Sequence, residues 1–342
     1  MLGTILILVG GGLVLLRLFL NKLYGTVDPN NEISAKGKIV IVTGANAGVG
    51  RSTTLEFAKR DAHVILACRD ISRANEAIKY IREQTTNGQL VVMQLDLGCF
   101  ESVRKFATEF NRKYEKLDIL VNNGAVMLNP DSHLKTTDGY EIHFGVNHLG
   151  HFLLTKLLLE KLKAAAPSRI VTVSALAHNV GSVNRILGMG KTTASGEQPK
   201  YTYSFVDRLF LKKIGPGNKP YSDSKLANAL FSLELARRLE GSGVRTYALC
   251  PGIVNTGLAD SLDIPKFLYI PIKVILRYLL KTPEQGCWTT MYCALSRDLI
   301  NESGLMYQHC AAWDPKDRIR LKEEDSVELW NLSERLTGII PP

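Results

Sequence analysis

The run Lys38-Ile39-Val40-Ile41-Val42 is followed at once by Thr43-Gly44-Ala45-Asn46-Ala47-Gly48-Val49-Gly50 and then by Arg51-Ser52-Thr53-Thr54-Leu55-Glu56-Phe57-Ala58, and no other feature constrains the fold as much. A short β-branched apolar run reads as a buried strand, and the residues behind the last glycine read as the start of a helix. Strand, glycine turn and helix in that order predict a doubly wound α/β fold, a parallel sheet covered by helices. Glycines at such a turn let the backbone bend sharply and come close to a pyrophosphate, whose charge the amides and dipole of the helix N-terminus favour. The spacing is GxxxGxG rather than GxGxxG, and an ordinary strand-to-helix turn can have the same composition, so the motif needs a partner.

The partner lies far downstream, where Pro220-Tyr221-Ser222-Asp223-Ser224-Lys225 opens a long helical pattern. Tyr221 and Lys225 are four residues apart, so both side chains leave the same helix face and converge on one substrate oxygen. A phenol with a pKa of ~10 is a poor acid or base at neutral pH, and a cation held beside it favours phenolate. A Tyr-x-x-x-Lys pair alone is most often a solvated pair. Behind the glycine turn it points to hydride transfer with a nicotinamide cofactor.

The second strand, His63-Val64-Ile65-Leu66-Ala67, ends in Cys68-Arg69-Asp70. A site for NAD places a carboxylate at this strand end to accept from the ribose 2′-hydroxyl, which Cys68 cannot do. Arg69, helped by Arg51, can meet a 2′-phosphate, which selects NADP(H). Asp70 is the counter-argument, since a register shifted by two would bring a carboxylate there.

Further along come Asp96-Leu97, then Asp118-Ile119-Leu120-Val121-Asn122-Asn123-Gly124-Ala125, Asn147-His148-Leu149-Gly150-His151, and Pro251-Gly252 with Thr256 behind it. In this order, and with Tyr221 and Lys225, the set resembles the short-chain dehydrogenase/reductase family over about residues 36 to 335. Asp138 to Phe152 and Leu329-Trp330-Asn331-Leu332-Ser333 resemble its membrane-anchored, NADP(H)-preferring retinol dehydrogenases. The resemblance implies that Tyr221 exchanges a proton with the substrate oxygen and that Lys225 holds the nicotinamide ribose. It implies that Asn147 supports a water leading to Lys225. Gly44, Asn46, Gly48, Val49, Gly50 and Arg51 would form the cofactor turn, with Arg69, Asp96, Leu97 and Asn123 against the rest of the cofactor.

Three departures from the family pattern stand out. The family has a serine at the end of the fifth strand, and Ile170-Val171-Thr172-Val173-Ser174-Ala175 puts Ala175 in that register. Adjacent strand residues face opposite ways, so Ser174 takes over only at a bulge or strand end. It is a catalytic candidate on those terms, or else a serine satisfied by backbone. Asn123-Gly124-Ala125 inverts the usual order of alanine and glycine. The stretch between Ser174 and Tyr221 is also long, with small and polar residues such as Gly188-Met189-Gly190-Lys191 that read as a surface insertion.

The amino terminus, apolar from Leu2 to Leu20 with Arg17 inside it, is close to the ~20 residues that span a bilayer. It reads as a retained anchor over 1–22, followed by a linker over 23–36 and the catalytic domain over 37–335. A monotopic insertion is the alternative. Lys22, Lys36 and Lys38 follow the span and no basic side chain precedes it, which puts the catalytic domain in the cytosol. The resemblance suggests the endoplasmic reticulum. Ile264 to Lys281 is too charged and proline-interrupted to span, and reads as a lid or as an interfacial piece for a lipophilic substrate.

The net charge of +9 has no long basic run, which argues against nucleic acid and fits a membrane surface. Six cysteines without CxxC or metal spacing read as reduced thiols, and no metal site is expected. The reading is an NADP(H)-dependent oxidoreductase of a hydrophobic alcohol or aldehyde. The alternative is a catalytically weak NADP(H)-binding membrane scaffold. An oligomer is left open.

Overall fold

In β1 (Ile39–Thr43), Val40 and Val42 join one hydrophobic cluster and Ile41 the other. The same alternation sends Val64 and Leu66 of β2 (His63–Cys68) to the first face and Ile65 to the second. In β4 (Ile119–Asn122) it divides Val121 from Leu120. Strands apolar on both faces must be covered on both. On the first face lie α1 (Gly48–Lys59), with Phe57, and α7 (Pro283–Leu295), with Cys287 and Met291. The second is covered by α3 (Phe100–Lys113), α4 (Gly150–Ala164) and α6 (Lys219–Arg238), through Phe106, Phe152 and Phe231.

The computed structural model describes residues 33–129, 133–189, 218–255, 280–313 and 321–339, together with residues 11, 12 and 16. Outside the described residues lie the expected anchor apart from those three positions and the linker before residue 33. So do residues 190–217 of the insertion, Thr256, and the apolar stretch before residue 280. Among the described residues no helix is long and apolar enough to cross a membrane.

The remaining elements are α2 (Ile71–Arg82), β3 (Gln89–Gln94), β5 (Ser168–Val173), α5 (Val183–Gly188), β6 (Val244–Cys250), β7 (Leu305–Gln308), β8 (Ala311–Ala312) and α8 (Glu323–Thr337). The sheet runs β3-β2-β1-β4-β5-β6-β7-β8, parallel except for β8, which pairs antiparallel with β7. This is the doubly wound α/β architecture expected from the sequence. Strand order reverses between β1 and β4, and the crevice beyond their carboxyl ends is where such sheets bind ligands.

The last helix closes the second face. Trp330 of α8 stacks on Phe231 with ring centroids 6.0 Å apart and meets Phe152 edge-on at 5.0 Å. Arg238 and Lys156 lie over the indole at 4.4 and 5.1 Å, so a buried ring with cations above it joins three helices. Gly338, at φ 65°, ends the helix in the left-handed cap that only glycine adopts without strain. Trp330→Ala is expected to lower stability by about 3–5 kcal/mol. Urea unfolding checks this, and a loss below about 1 kcal/mol would contradict the packing described.

Candidate active site

The crevice is built from the end of β1 outward. Gly44 turns the chain at φ 63°, and a Cβ there would lie 2.8 Å from Gly124 Cα; a Cβ on Gly50 would lie 2.3 Å from the Gly44 carbonyl oxygen. The turn therefore packs backbone on backbone, which is why side chains are excluded. Ala47, the N-cap of α1, offers no side-chain cap, and the first turn of the helix carries no acidic residue. Those amides are left for an anionic ligand.

Thr43 ties this turn to the next strand. Its Oγ1 accepts from the amides of Asn123 (2.9 Å) and Gly124 (2.8 Å), while Asn123 Nδ2 donates to the Thr43 carbonyl at 2.9 Å. With both lone pairs engaged, the hydroxyl hydrogen points to His151 Nε2 at 2.8 Å in preference to the Val121 carbonyl at 3.3 Å. His151 Nδ1 then donates to the Asn147 carbonyl at 2.9 Å. Asn147 lies in the π-helical segment Gly145–Leu149 that precedes α4. Its amide binds both backbone groups of Val126 and donates to Ser224 Oγ at 3.0 Å.

Tyr221 and Lys225 stand on the first turns of α6, which Asn218 caps by accepting from the Tyr221 amide. Lys225 Nζ lies 5.6 Å from the centre of the phenol ring and donates to the Val173 carbonyl at 3.1 Å. A single cavity of about 750 Å³ joins Gly44, Asn46, Gly48, Val49 and Gly50 to Arg69, Asp96, Leu97 and Asn123, and continues to Ser174, Ala175, Tyr221 and Lys225.

A glycine-turn crevice with a Tyr-x-x-x-Lys pair on its wall was compared with known proteins. The short chain dehydrogenase family profile matches residues 38–187. Over 337 residues the chain is 40% identical to retinol dehydrogenase 12 of Mus musculus, covering 96% of this chain and 98% of the relative. The chain belongs to the short-chain dehydrogenase/reductase family. Retinol dehydrogenase 11 of Homo sapiens is 41% identical over 310 residues, covering 90% of this chain and 88% of the relative. Among solved structures, an uncharacterized protein from Mycobacterium Paratuberculosis superposes with a TM-score of 0.64 at 30% identity, covering 92% of this chain and 98% of that one. The RhlG/NADP active-site complex of Pseudomonas aeruginosa shares the fold, with a TM-score of 0.59 at 20% identity over 80% of this chain and 95% of that one.

In this dehydrogenase/reductase the described site candidates singled out from the sequence line this cavity, with two exceptions. Asn147 is fully buried behind it, next to Val146 on its wall. Arg51 is not among the lining residues; its guanidinium lies 3.9 Å from the centre of the Tyr80 ring, and its Nε is buried without a hydrogen-bond partner. Arg73 lines the cavity beside Arg69 and was missed. Its signal was the Asp70-x-x-Arg73 spacing: Asp70 caps α2 by accepting from the Arg73 amide at 3.0 Å, which engages the one carboxylate that argued for NAD.

Ser174 Oγ donates to the Lys225 carbonyl at 2.7 Å, and Ser174 and Ala175 both line the cavity. The inverted Gly124-Ala125 pair also has a local account. A Cβ on Gly124 would come within 3.0 Å of Leu97 Cδ1, so glycine there keeps Leu97 close to the turn.

Burial governs the titratable groups. It pushes the Tyr221 phenol up, with the Cys250 thiol adding to the shift, the reverse of the effect expected from Lys225. It pushes Lys225 down to about 8, against the opposing pull of Cys250. His148 is pushed down to about 3 by burial and then by His151. His151 is pushed down to about 4 by burial, with its bond to the Asn147 carbonyl opposing and the Lys225 charge adding. An unfolded histidine titrates near ~6.5, so below that pH the unfolded chain binds protons that the folded chain does not. Stability is expected to fall as pH drops from about 6.5 toward about 4, and His148→Gln to lose less over that window, as read by thermal unfolding.

Proposed function

We propose that the protein is an NADP(H)-dependent reductase of hydrophobic aldehydes or ketones, able to oxidise the matching alcohols. One observation carries this reading. The same cavity is lined by two guanidinium-bearing residues, Arg69 and Arg73, by Tyr221 and Lys225, and by the apolar residues Val126, Met127, Leu128, Ile142, Leu176 and Ile253. The bare N-terminus of α1, the side-chain-free glycine turn and the two arginines fit a dinucleotide carrying a 2′-phosphate.

When bound, the nicotinamide supplies or accepts the hydride. Arg69 and Arg73 would hold a 2′-phosphate, Asp96 and Leu97 would lie against the adenine, Asn123 would lie against the cofactor, and Lys225 would donate to the ribose hydroxyls. Tyr221, kept protonated by burial, gives its proton to the carbonyl oxygen during reduction. Oxidation requires the phenolate, which the Lys225 ammonium favours. Ser174 acts on the Lys225 carbonyl and Ala175 brings no donor, so the substrate oxygen relies on Tyr221.

The relatives named retinol dehydrogenases and the apolar residues lining the cavity support a retinoid-like or lipid-derived substrate. The apolar amino terminus supports attachment to a membrane, with the catalytic domain on the cytosolic face of the endoplasmic reticulum.

Detergent-solubilised protein is expected to oxidise NADPH in the presence of all-trans-retinal or decanal, and Tyr221→Phe to lose on the order of 10²-fold or more. Arg73→Ala is expected to raise KM for NADPH about tenfold and leave NADH nearly unaffected. Binding of NADPH without turnover of any carbonyl tried would overturn the enzyme reading. Because Lys225 is held near 8, its ammonium is lost as pH rises through that value. NADPH affinity is therefore expected to weaken above about pH 8 in fluorescence titrations, a dependence that Lys225→Met removes.

A further inference from the structure

The chain leaving β4 continues through Val126, Met127 and Leu128, all three of which line the cavity, and it belongs to no strand. A half-buried segment outside the sheet still has backbone groups to satisfy, which a sheet would do with a neighbouring strand. Side chains do it here. Asn147 holds the amide of Val126 at 2.8 Å and its carbonyl at 3.0 Å. Leu128 donates its amide to His143 Nε2 at 2.9 Å, and its carbonyl accepts from Asn218 Nδ2 at 2.8 Å.

The two groups that hold Leu128 are themselves fixed. His143, fully buried, donates from Nδ1 to Glu141 Oε1 at 2.6 Å, which leaves Nε2 as the acceptor that Leu128 needs. The other carboxylate oxygen of Glu141 accepts from the Phe144 amide. Asn218 is also fully buried, and its Oδ1 accepts from the Tyr221 amide at 3.1 Å. One carboxamide thus grips Tyr221 with its oxygen and the cavity wall with its nitrogen. The His143 ring stands edge-on to the Tyr221 ring at 6.4 Å.

We infer that Asn218, with His143 as its second post, is a specificity-determining positioning residue. It sets the spacing between the Leu128 wall and the hydroxyl of Tyr221, and so adapts the cavity to long apolar carbonyl compounds. This rests on the reductase reading of the cavity. Leu128 is 37% exposed, so a wall released from Asn218 swings toward water and takes apolar surface away from the substrate. A short carbonyl compound, held at Tyr221 alone, does not sense the change.

Asn218→Asp separates the two functions of the carboxamide, because aspartate keeps the cap on the Tyr221 amide and replaces the donor to Leu128 with an acceptor. With NADPH saturating, KM for decanal is expected to rise about tenfold with kcat retained, while propanal kinetics stay as in the parent and Tm falls because the Leu128 carbonyl loses its donor. Amide hydrogen exchange is expected to speed up over 126–128 and to remain slow over 221–228. His143→Leu is expected to give the same pattern, and His143→Gln, whose Oε1 accepts from the Leu128 amide, to restore parental behaviour. Equal losses on both aldehydes, or unaltered exchange over 126–128, would overturn the inference. If the parent protein reduces no aldehyde, the reductase reading fails, and exchange alone decides whether the two posts hold the wall. If Asn218→Asp does not fold, the His143 pair carries the same test.

Discussion

The hydroxyl of Thr43 is the point on which the site depends. Its oxygen accepts from two amides of the β4 tail and its hydrogen meets His151, so all of its bonding capacity is used within the protein. Each of these groups is buried or nearly so, and leaving one unmade would cost about 1–3 kcal/mol with no water to replace it. The glycine turn, the Asn123-Gly124 pair and the π-helical segment are thereby held in one arrangement. Thr43 fixes where β1 ends relative to β4, and the crevice between them follows from that.

The network continues into the catalytic helix. His151 can satisfy both Thr43 and the Asn147 carbonyl only as the neutral ring with hydrogen on Nδ1, and burial keeps it neutral. The widened turn over Gly145–Leu149 lets Asn147 bind Val126 and Ser224 with its amide while its carbonyl meets the imidazole. Burial also drives Lys225 and Tyr221 toward their neutral forms. At neutral pH Tyr221 is therefore uncharged while Lys225, at about 8, keeps its ammonium, and an anionic ligand beside Lys225 holds that charge to higher pH.

Local patterns were legible where one stretch of chain forms the whole feature. The glycine turn could be read because strand, turn and helix are consecutive, and Tyr221 with Lys225 because four residues make one helical turn. Alternation at the end of β5 left Ser174 open as a candidate, and only the fold shows its hydroxyl bonded to the Lys225 carbonyl. Arg51 was read by its nearness in sequence to the last glycine, yet the Tyr80 ring on α2 takes its guanidinium. Arg73 was overlooked because only the fold brings the first turn of α2 to the cavity. Asn218 carried no motif, and His143 stood inside the Asp138 to Phe152 stretch with no role of its own. Their partner, Leu128, is distant from Asn218 in sequence and offers only backbone.

The sequence by itself determined a doubly wound α/β fold, the strand-end crevice and the family, because hydrophobic period, glycine spacing and a helical pair are short-range properties of a chain. Only the tertiary structure decided which polar atoms meet: Thr43 with His151, Asn147 with Val126, Asn218 with Leu128. The reason is geometric. A hydrogen bond forms or fails within a few tenths of an ångström, and that distance is set by the packing of whole helices against the sheet rather than by the residues on either side of the bond.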